Sequence, residues 1–259
     1  MIYYFSGTGN SRHIATLLAR LTGDTLQAIP DAAPCPPTGT TAVGLVFPVY
    51  AWMPPRIVCR FAERLTAAIA PGTYLYAVMT CGDDAGKALD VLRRTGFRPH
   101  SAFSVIMPNT YVSLPGFNVD KDAVRRSKLA ACHARVQAIA AAVSAHHRMT
   151  DVHEGFLPRT KTYILGALSA RYITLDSRFT ANASLCTSCG ACARACPTGN
   201  ISLPGGSPQW NGNCAGCLTC YHTCPVHAIN FGRATLHKGQ YTLQRHLGET
   251  AAPQQSNDQ

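Results

Sequence analysis

Eight cysteines between Cys186 and Cys224 have both the type and the spacing to hold metal. Cys186-x2-Cys189-x2-Cys192-x3-Cys196-Pro197 recurs as Cys214-x2-Cys217-x2-Cys220-x3-Cys224-Pro225. Three thiolates two residues apart wrap around three irons of a cubane, while the fourth, ahead of its proline, points away and ligates a second cluster. On this reading Cys186, Cys189, Cys192 and Cys224 hold one [4Fe-4S] cluster, and Cys214, Cys217, Cys220 and Cys196 hold the other. Pro197 and Pro225 stop a short helical turn and release the fourth cysteine. Ile201 and Ile229 follow at equal intervals and are expected to shield the clusters from water. The competing reading is a pair of zinc knuckles binding nucleic acid. Zinc takes four ligands in two pairs and has no use for a third evenly spaced cysteine followed by Cys-Pro. The remaining cysteines, Cys35, Cys59, Cys81 and Cys132, are scattered, and a disulfide scaffold would not segregate its sulfurs in this way.

Over roughly Ala183 to Gly232 the sequence resembles the bacterial two-cluster ferredoxins, with the pattern complete at all eight positions. The resemblance implies one-electron transfer. Thiolates reserved for clusters must stay reduced, which suits a cytoplasmic, anaerobic setting.

A second chemical signal opens the chain. The apolar run Ile2 to Phe5 leads into Ser6-Gly7-Thr8-Gly9-Asn10-Ser11 and then into a helical pattern. A glycine-containing, hydroxyl-rich turn at a helix N-terminus binds anions, because unpaired backbone N–H groups and the helix dipole face the ligand. The Lys of a triphosphate-binding loop and the third glycine of a dinucleotide fingerprint are both absent, so a monophosphate fits best. This turn resembles the first loop of the flavodoxin family, which holds the phosphate of FMN; Ser6, Thr8, Gly9, Asn10 and Ser11 match it.

In that family two further loops at strand C-termini flank the flavin ring, at the carboxyl edge of an open α/β sheet. The matching segments are Pro48-Val49-Tyr50-Ala51-Trp52 and Thr80-Cys81-Gly82-Asp83. The resemblance implies that Tyr50 or Trp52 stacks on the ring and that Thr80 to Asp83 offer backbone groups to its pyrimidine edge. Each has a plainer reading: Trp52 as a core or surface aromatic, Cys81 as a small buried residue, Asp83 and Asp84 as caps of the next helix. Asn109 and Tyr111 are weaker flavin-side candidates. The ten histidines show no ligand spacing.

The elements that must position these groups follow from hydrophobic periodicity. Five strands are expected, at Ile2 to Phe5, Thr25 to Ile29, Thr41 to Phe47, Thr73 to Thr80 and Phe103 to Met107. Helices are expected at Ser11 to Leu21, Pro55 to Ala70, Ala85 to Thr95 and Asp120 to His147. The alternation predicts an α/β doubly wound, flavodoxin-like five-stranded parallel sheet over residues 1–150. A linker follows over 151–182, with one short helix at Thr162 to Tyr172. A small α+β two-cluster domain occupies 183–235, and a tail fills 236–259, polar, Gln-rich and disordered from Glu249. At 46% hydrophobic and 14% charged, the 259 residues exclude a disordered chain, and no apolar run is long enough to span a membrane.

The formal charge of +10 raises nucleic acid, membrane surfaces and acidic proteins as partners. Two clusters at about −2 each lower it to about +6, and a flavin phosphate to about +4. Arg125, Arg126, Lys128 and Arg135 lie along one expected helix, as a solvated face or a docking face for an acidic redox partner.

Taken over nearly its whole length, the chain resembles the flavodoxin and ferredoxin fusion proteins of anaerobic microbes. The resemblance implies an electron-transfer protein linking FMN, two [4Fe-4S] clusters and an external redox protein. The alternative is a flavin-dependent reductase of a quinone or other organic acceptor fed by its own clusters. Between Ala181 and Thr235 the only Asp, Glu, Lys or Arg residues are Arg194 and Arg233. Because reduction adds negative charge, positive surroundings raise cluster potentials. Exchanging both arginines for Glu is expected to lower at least one cluster midpoint in voltammetry, and unchanged midpoints would refute the electrostatic reading.

Overall fold

The computed structural model describes residues 1–114 and 116–247. Its larger part is a parallel sheet of six strands: β1 Ile2–Tyr4, β2 Leu26–Ala28, β3 Ala42–Pro48, β4 Tyr74–Cys81, β5 Ser101–Ile106 and β6 Thr150–Asp151. Their order is β2-β1-β3-β4-β5-β6, the 2-1-3-4-5 winding of flavodoxin-like doubly wound folds with one added edge strand. That added strand corrects the expected count of five. It is two exposed residues paired to Ala102 and Phe103, too short and too polar to leave a hydrophobic period.

Helices cover both faces because the central strands are apolar on both sides, as buried parallel strands must be. On one face α1 (Asn10–Thr22) presents Ile14, Ala15, Leu18 and Ala19 to Val136, Ile139, Ala140 and Val143 of α4 (Asp122–Ser144). On the other, α2 (Arg56–Thr66) buries Val58, Phe61, Ala62 and Leu65 beside Ala88, Leu89 and Leu92 of α3 (Ala88–Arg93). Gly44 of β3 lies opposite Tyr76 of β4, and a Cβ there would meet the tyrosine ring at 2.2 Å. Full burial of that ring therefore depends on the glycine.

The segment expected to be a linker is largely structured. Pro158–Thr160, the π-helical Lys161–Gly166 and Ala167–Ile173 run end to end as one helical rod, longer than the short helix predicted within it. β7 (Phe179–Ala181) then pairs antiparallel with β10 (Ile229–Phe231), so the cysteine-rich unit begins before its first cysteine. Between them, β8 (Ile201–Ser202) pairs with β9 (Gln209–Trp210). The cysteine-rich stretch has few aliphatic residues of its own, and aromatics from outside it complete its core. Phe179 stacks on Trp210 at 5.2 Å, Tyr172 meets Phe231 edge-on at 5.4 Å, and Val112 comes from the α/β domain.

The basic row on α4 is mostly occupied. Arg125 pairs with Asp122 at 2.9 Å, Lys128 with Asp120 at 2.8 Å, and Arg135 with Asp151 at 2.5 Å, leaving Arg126 as the outward member. In place of a wholly solvated or docking face, Lys128 and Arg135 tie α4 to Asp120 and Asp151, while Arg125 pairs within the helix. Part of the predicted tail is also ordered: residues 236–247 return to the α/β domain, while 249–259 lie outside the described residues.

Candidate functional site

Both cysteine repeats impose the same backbone. Left-handed φ occurs at the second, fourth and thirteenth residue after each first cysteine: Ser188, Gly190 and Gly199 in one repeat, and Gly216, Leu218 and His227 in the other. One partner of each pair is glycine and the other is not. A non-glycine residue in that region costs roughly 1–3 kcal/mol, which persists only where the surroundings over-determine it. Equivalent amides face equivalent sulfurs, since Asn200 N–H donates to Cys196 Sγ at 3.3 Å and Ala228 N–H to Cys224 Sγ at 3.2 Å. Cys196 and Cys224 are themselves extended, as residues before proline must be, and end the short helices Ala191–Ala195 and Thr219–Thr223.

One of the two expected cysteine sets shares a cavity, and the members of the other are electrostatic neighbours. Cys186, Cys189, Cys192 and Cys224 line one cavity, closed by Leu203, Ala228 and Ile229. Burial pushes the Cys192 thiol up in pKa, and Cys224 and Cys189 add to the shift. Burial likewise pushes Cys214 up to about 12, with Cys217 and Cys196 among its charged neighbours. Cys220 is raised well above its ordinary value by burial and then by Cys217, Cys214 and Cys196. Four soft sulfur donors gathered in one cavity, with Cys189 lowered in pKa by its backbone and Thr187 hydrogen bonds, are a donor set that fits iron.

The phosphate-type loop has the expected form. Gly9 is left-handed (φ 103°) and starts α1, whose first turn carries no side-chain cap and so leaves its amides for a ligand. Ser6, Gly7, Thr8, Asn10, Ser11, Pro48, Val49, Tyr50, Thr80, Cys81 and Gly82 line one cavity. Ser11 and Thr80 hydroxyls bond each other at 2.7 Å, while Ser6 Oγ is buried with no hydrogen-bond partner among the described residues. An orphaned hydroxyl of that kind costs about 1–3 kcal/mol unless a ligand satisfies it. Cys81 is pushed up to about 12 by burial and by Asp84 and Asp83, so its side chain is a neutral apolar wall.

Ala51, Trp52 and Asp83 do not join that cavity. They line an adjoining one of about 400 Å³ with Val49, Cys81, Gly82, Asp84, Asn109, Tyr111, Phe117 and Lys161. Tyr50 and Met53 pair across a tight turn whose central residues, Ala51 and Trp52, both have positive φ. The π-helical segment holds this turn in place. Thr162 Oγ1 donates to the Trp52 carbonyl at 3.2 Å, Lys161 pairs with Asp84 at 2.6 Å, and a Cβ on Gly166 would meet the Ala51 carbonyl oxygen at 2.5 Å. Gly9 faces Leu243 and Gln244 instead of the main cavity.

The two units meet at this loop. A Cβ on Gly7 would lie 2.9 Å from both Cys217 Cβ and Thr219 Oγ1, and 3.0 Å from the Tyr50 hydroxyl. Gly216, between two cluster cysteines, lines the same cavity as Ser6 and Ser11. Burial, with Cys217 and Cys214 beside it, holds the Tyr50 phenol well above its ordinary pKa. His222 donates from Nε2 to the Thr110 carbonyl at 2.8 Å and accepts the Tyr241 amide at Nδ1, so both ring nitrogens are satisfied in the neutral form and burial holds its pKa down at about 4. Tyr241 then donates to Asn10 Oδ1 at 2.9 Å, and Leu243 N–H to the Thr8 carbonyl at 2.9 Å.

Sequence reasoning missed Met107, Pro108, Thr110 and Gly216 as cavity residues, and Tyr241 and Leu243 as a strap over the loop. The β5 carboxyl end was a findable signal for the first three. The strap's only signal is the pair Tyr241 and Leu243, both buried, in a stretch too short to show a period.

Residues 179–202 and 211–230 each match the 4Fe-4S binding domain family. Over 67 residues the chain is 36% identical to the arsenate respiratory reductase iron-sulfur subunit ArrB of Shewanella sp. (strain ANA-3), covering 24% of this chain and 29% of that protein. The chain thus spans less than a third of that relative's length. Among solved structures it is similar to rubredoxin oxygen:oxidoreductase of Desulfovibrio gigas, at 17% identity and TM-score 0.36, covering 56% of this chain and 36% of that one. It is also similar to a flavodoxin of Streptococcus pneumoniae TIGR4, at 16% identity and TM-score 0.33, covering 52% and 96% respectively. These overlaps are partial, and the fold class rests on the strand order. The chain joins a flavodoxin-like α/β domain to a pair of ferredoxin-type 4Fe-4S domains.

The exchanged ligand sets make double variants diagnostic. Cys186→Ala with Cys224→Ala strikes one cluster twice and is expected to keep about half the iron, whereas Cys186→Ala with Cys196→Ala strikes both and loses most of it. Equal iron in the two variants would refute the exchange.

Proposed function

We propose that this protein is an electron-transfer flavo-iron-sulfur protein in which FMN and two [4Fe-4S] clusters act in series. The observation that carries the reading is the shared wall: Gly216, between Cys214 and Cys217, borders the cavity lined by Ser6, Thr8 and Ser11. FMN, when bound, supplies a centre that takes up two electrons and passes them on singly, while each cluster carries one.

On this proposal the first turn of α1 and the hydroxyls of Ser6, Thr8 and Ser11 hold the phosphate, and Ser6 gains the partner it lacks. Tyr50 and the Thr80 to Gly82 edge flank the flavin. The cluster held by Cys196, Cys214, Cys217 and Cys220 is the inner relay, and the cluster of Cys186, Cys189, Cys192 and Cys224 faces the external redox protein, with Cys189 exposed. The Tyr241–Asn10 and Leu243–Thr8 bonds fix the loop against the cluster unit and keep water from the phosphate end. One observation favours a second reading, reduction of a small organic acceptor: the adjoining cavity of about 400 Å³ beside Trp52 is wide enough to admit one.

The phosphate assignment is testable through charge. Thr8→Glu sets a carboxylate where the phosphate is proposed and is expected to weaken FMN binding at least tenfold, about 1.4 kcal/mol, in a flavin-fluorescence titration. Riboflavin, which has no phosphate, should bind the parent protein more weakly than FMN and be little affected by the variant. Equal FMN affinity in parent and variant, at unchanged iron content, would overturn the assignment.

A further inference from the structure

Among the described residues, fourteen large apolar side chains are exposed, and seven of them fall between Phe156 and Leu175. Phe156 is 78% exposed, Leu168 72%, Ile164 57%, Leu157 54% and Leu165 48%. Scattered exposed apolar residues need no explanation, but a contiguous group of this size does. The helical rod from Pro158 to Ile173 turns Thr162, Gly166 and Ile173 inward, against the Trp52 turn and Gly216, and sends Tyr163, Ile164, Leu165 and Leu168 outward. Its buried side is thus built from small or single contacts, while its solvent side is the apolar one, the reverse of an ordinary surface helix.

The acids that flank this face are engaged: Glu154 pairs with Lys87 at 2.5 Å, and Asp176 is half-buried, accepting from Asn200 Nδ2 and the Gly212 amide. From Gly155 to Leu175 there is no Asp or Glu, and the ionisable side chains of Lys and Arg are Arg159, Lys161 and Arg171. Lys161 is taken by Asp84, whereas Arg159 and Arg171 are exposed at the two ends of the rod. Arg94, on the neighbouring α3 end, lies 4.7 Å over the Tyr163 ring and extends the cationic rim. The polar stretch 248–259 contains no apolar side chain larger than Ala or Pro, so it has nothing with which to cover the patch. No helix of the described residues is long and apolar enough to cross a membrane.

We infer that the Phe156 to Leu175 face seats this protein on an anionic lipid surface. A helix with an apolar outer face and exposed arginines at its two ends, here Arg159 and Arg171, is the form that lies in a bilayer interface, apolar side chains among the acyl chains and arginines at the headgroups. A protein partner would more commonly meet a patch with both signs of charge in its rim. The docked rod holds the Trp52 turn on its other side, so the adjoining cavity comes to rest close to the membrane.

The test is co-sedimentation of the anaerobic, cluster-loaded full chain with vesicles of phosphatidylcholine alone or with about 30% phosphatidylglycerol. Binding is expected to the anionic vesicles, to fall several-fold in high salt, and to fall at least about tenfold in an Ile164→Asp, Leu168→Asp double variant of unchanged iron content. Arg159→Glu with Arg171→Glu should weaken binding to anionic vesicles alone. No binding by the parent protein, or equal binding by parent and double variant, overturns the inference. A dimer in solution that the double variant splits, without lipid binding, would overturn it too, giving the face to a second copy of the chain.

Discussion

A side chain at residue 7 is what this structure cannot accommodate. The anion-binding turn and the loop between Cys214 and Thr219 touch there, and the missing Cβ of Gly7 lets Cys217, Thr219 and the Tyr50 hydroxyl converge within about one atomic diameter. Everything that makes the two units one device follows from that approach. It brings Gly216 into the wall of the cavity lined by Ser6, Thr8 and Ser11, sets Tyr50 beside both that cavity and Cys214 and Cys217, and allows the 236–247 strap to close over Thr8 and Asn10.

The electrostatics are arranged around the same joint. Eight thiols in a unit with no acidic residue between Ala181 and Thr235 make sulfur its main source of potential negative charge. Desolvation raises the pKa of the inner cysteines, so that folding of this unit and capture of iron are coupled. Amide and hydroxyl donors to sulfur, as at Cys196, Cys224 and Cys217, are the means by which such a unit tunes reduction potential once loaded. Basic residues elsewhere are used in fixing the scaffold: Lys128 and Arg135 bind α4 to loop and strand ends instead of facing outward.

How much of this was legible in the sequence differs by element for physical reasons. The 4Fe-4S domains were readable because the cysteine spacing encodes them, and the central strands because burial on both faces leaves unbroken apolar runs. β6 was not, since two polar residues on a sheet edge carry no period. The rod at 158–173 was read as mostly linker because its apolar residues point away from the core, so periodicity could not tell which side was buried. The α4 cations were misjudged because their partners, Asp83, Asp120 and Asp151, come together only through tertiary structure. The strap escaped notice because its buried apolar residues, Tyr241 and Leu243, are too few to show a period, and its other contacts to the loop are single hydrogen bonds.

The claim on which the account turns is that the cofactor cavity and one cluster share a wall. An anaerobic crystal structure of the loaded protein, with anomalous scattering recorded at the iron edge, tests it most directly. The account predicts two four-iron sites, the nearer to the flavin held by Cys196, Cys214, Cys217 and Cys220, with the phosphate of FMN at Ser6 to Ser11. Zinc in place of iron, or a flavin nearer to the cluster of Cys186, Cys189, Cys192 and Cys224, would contradict it.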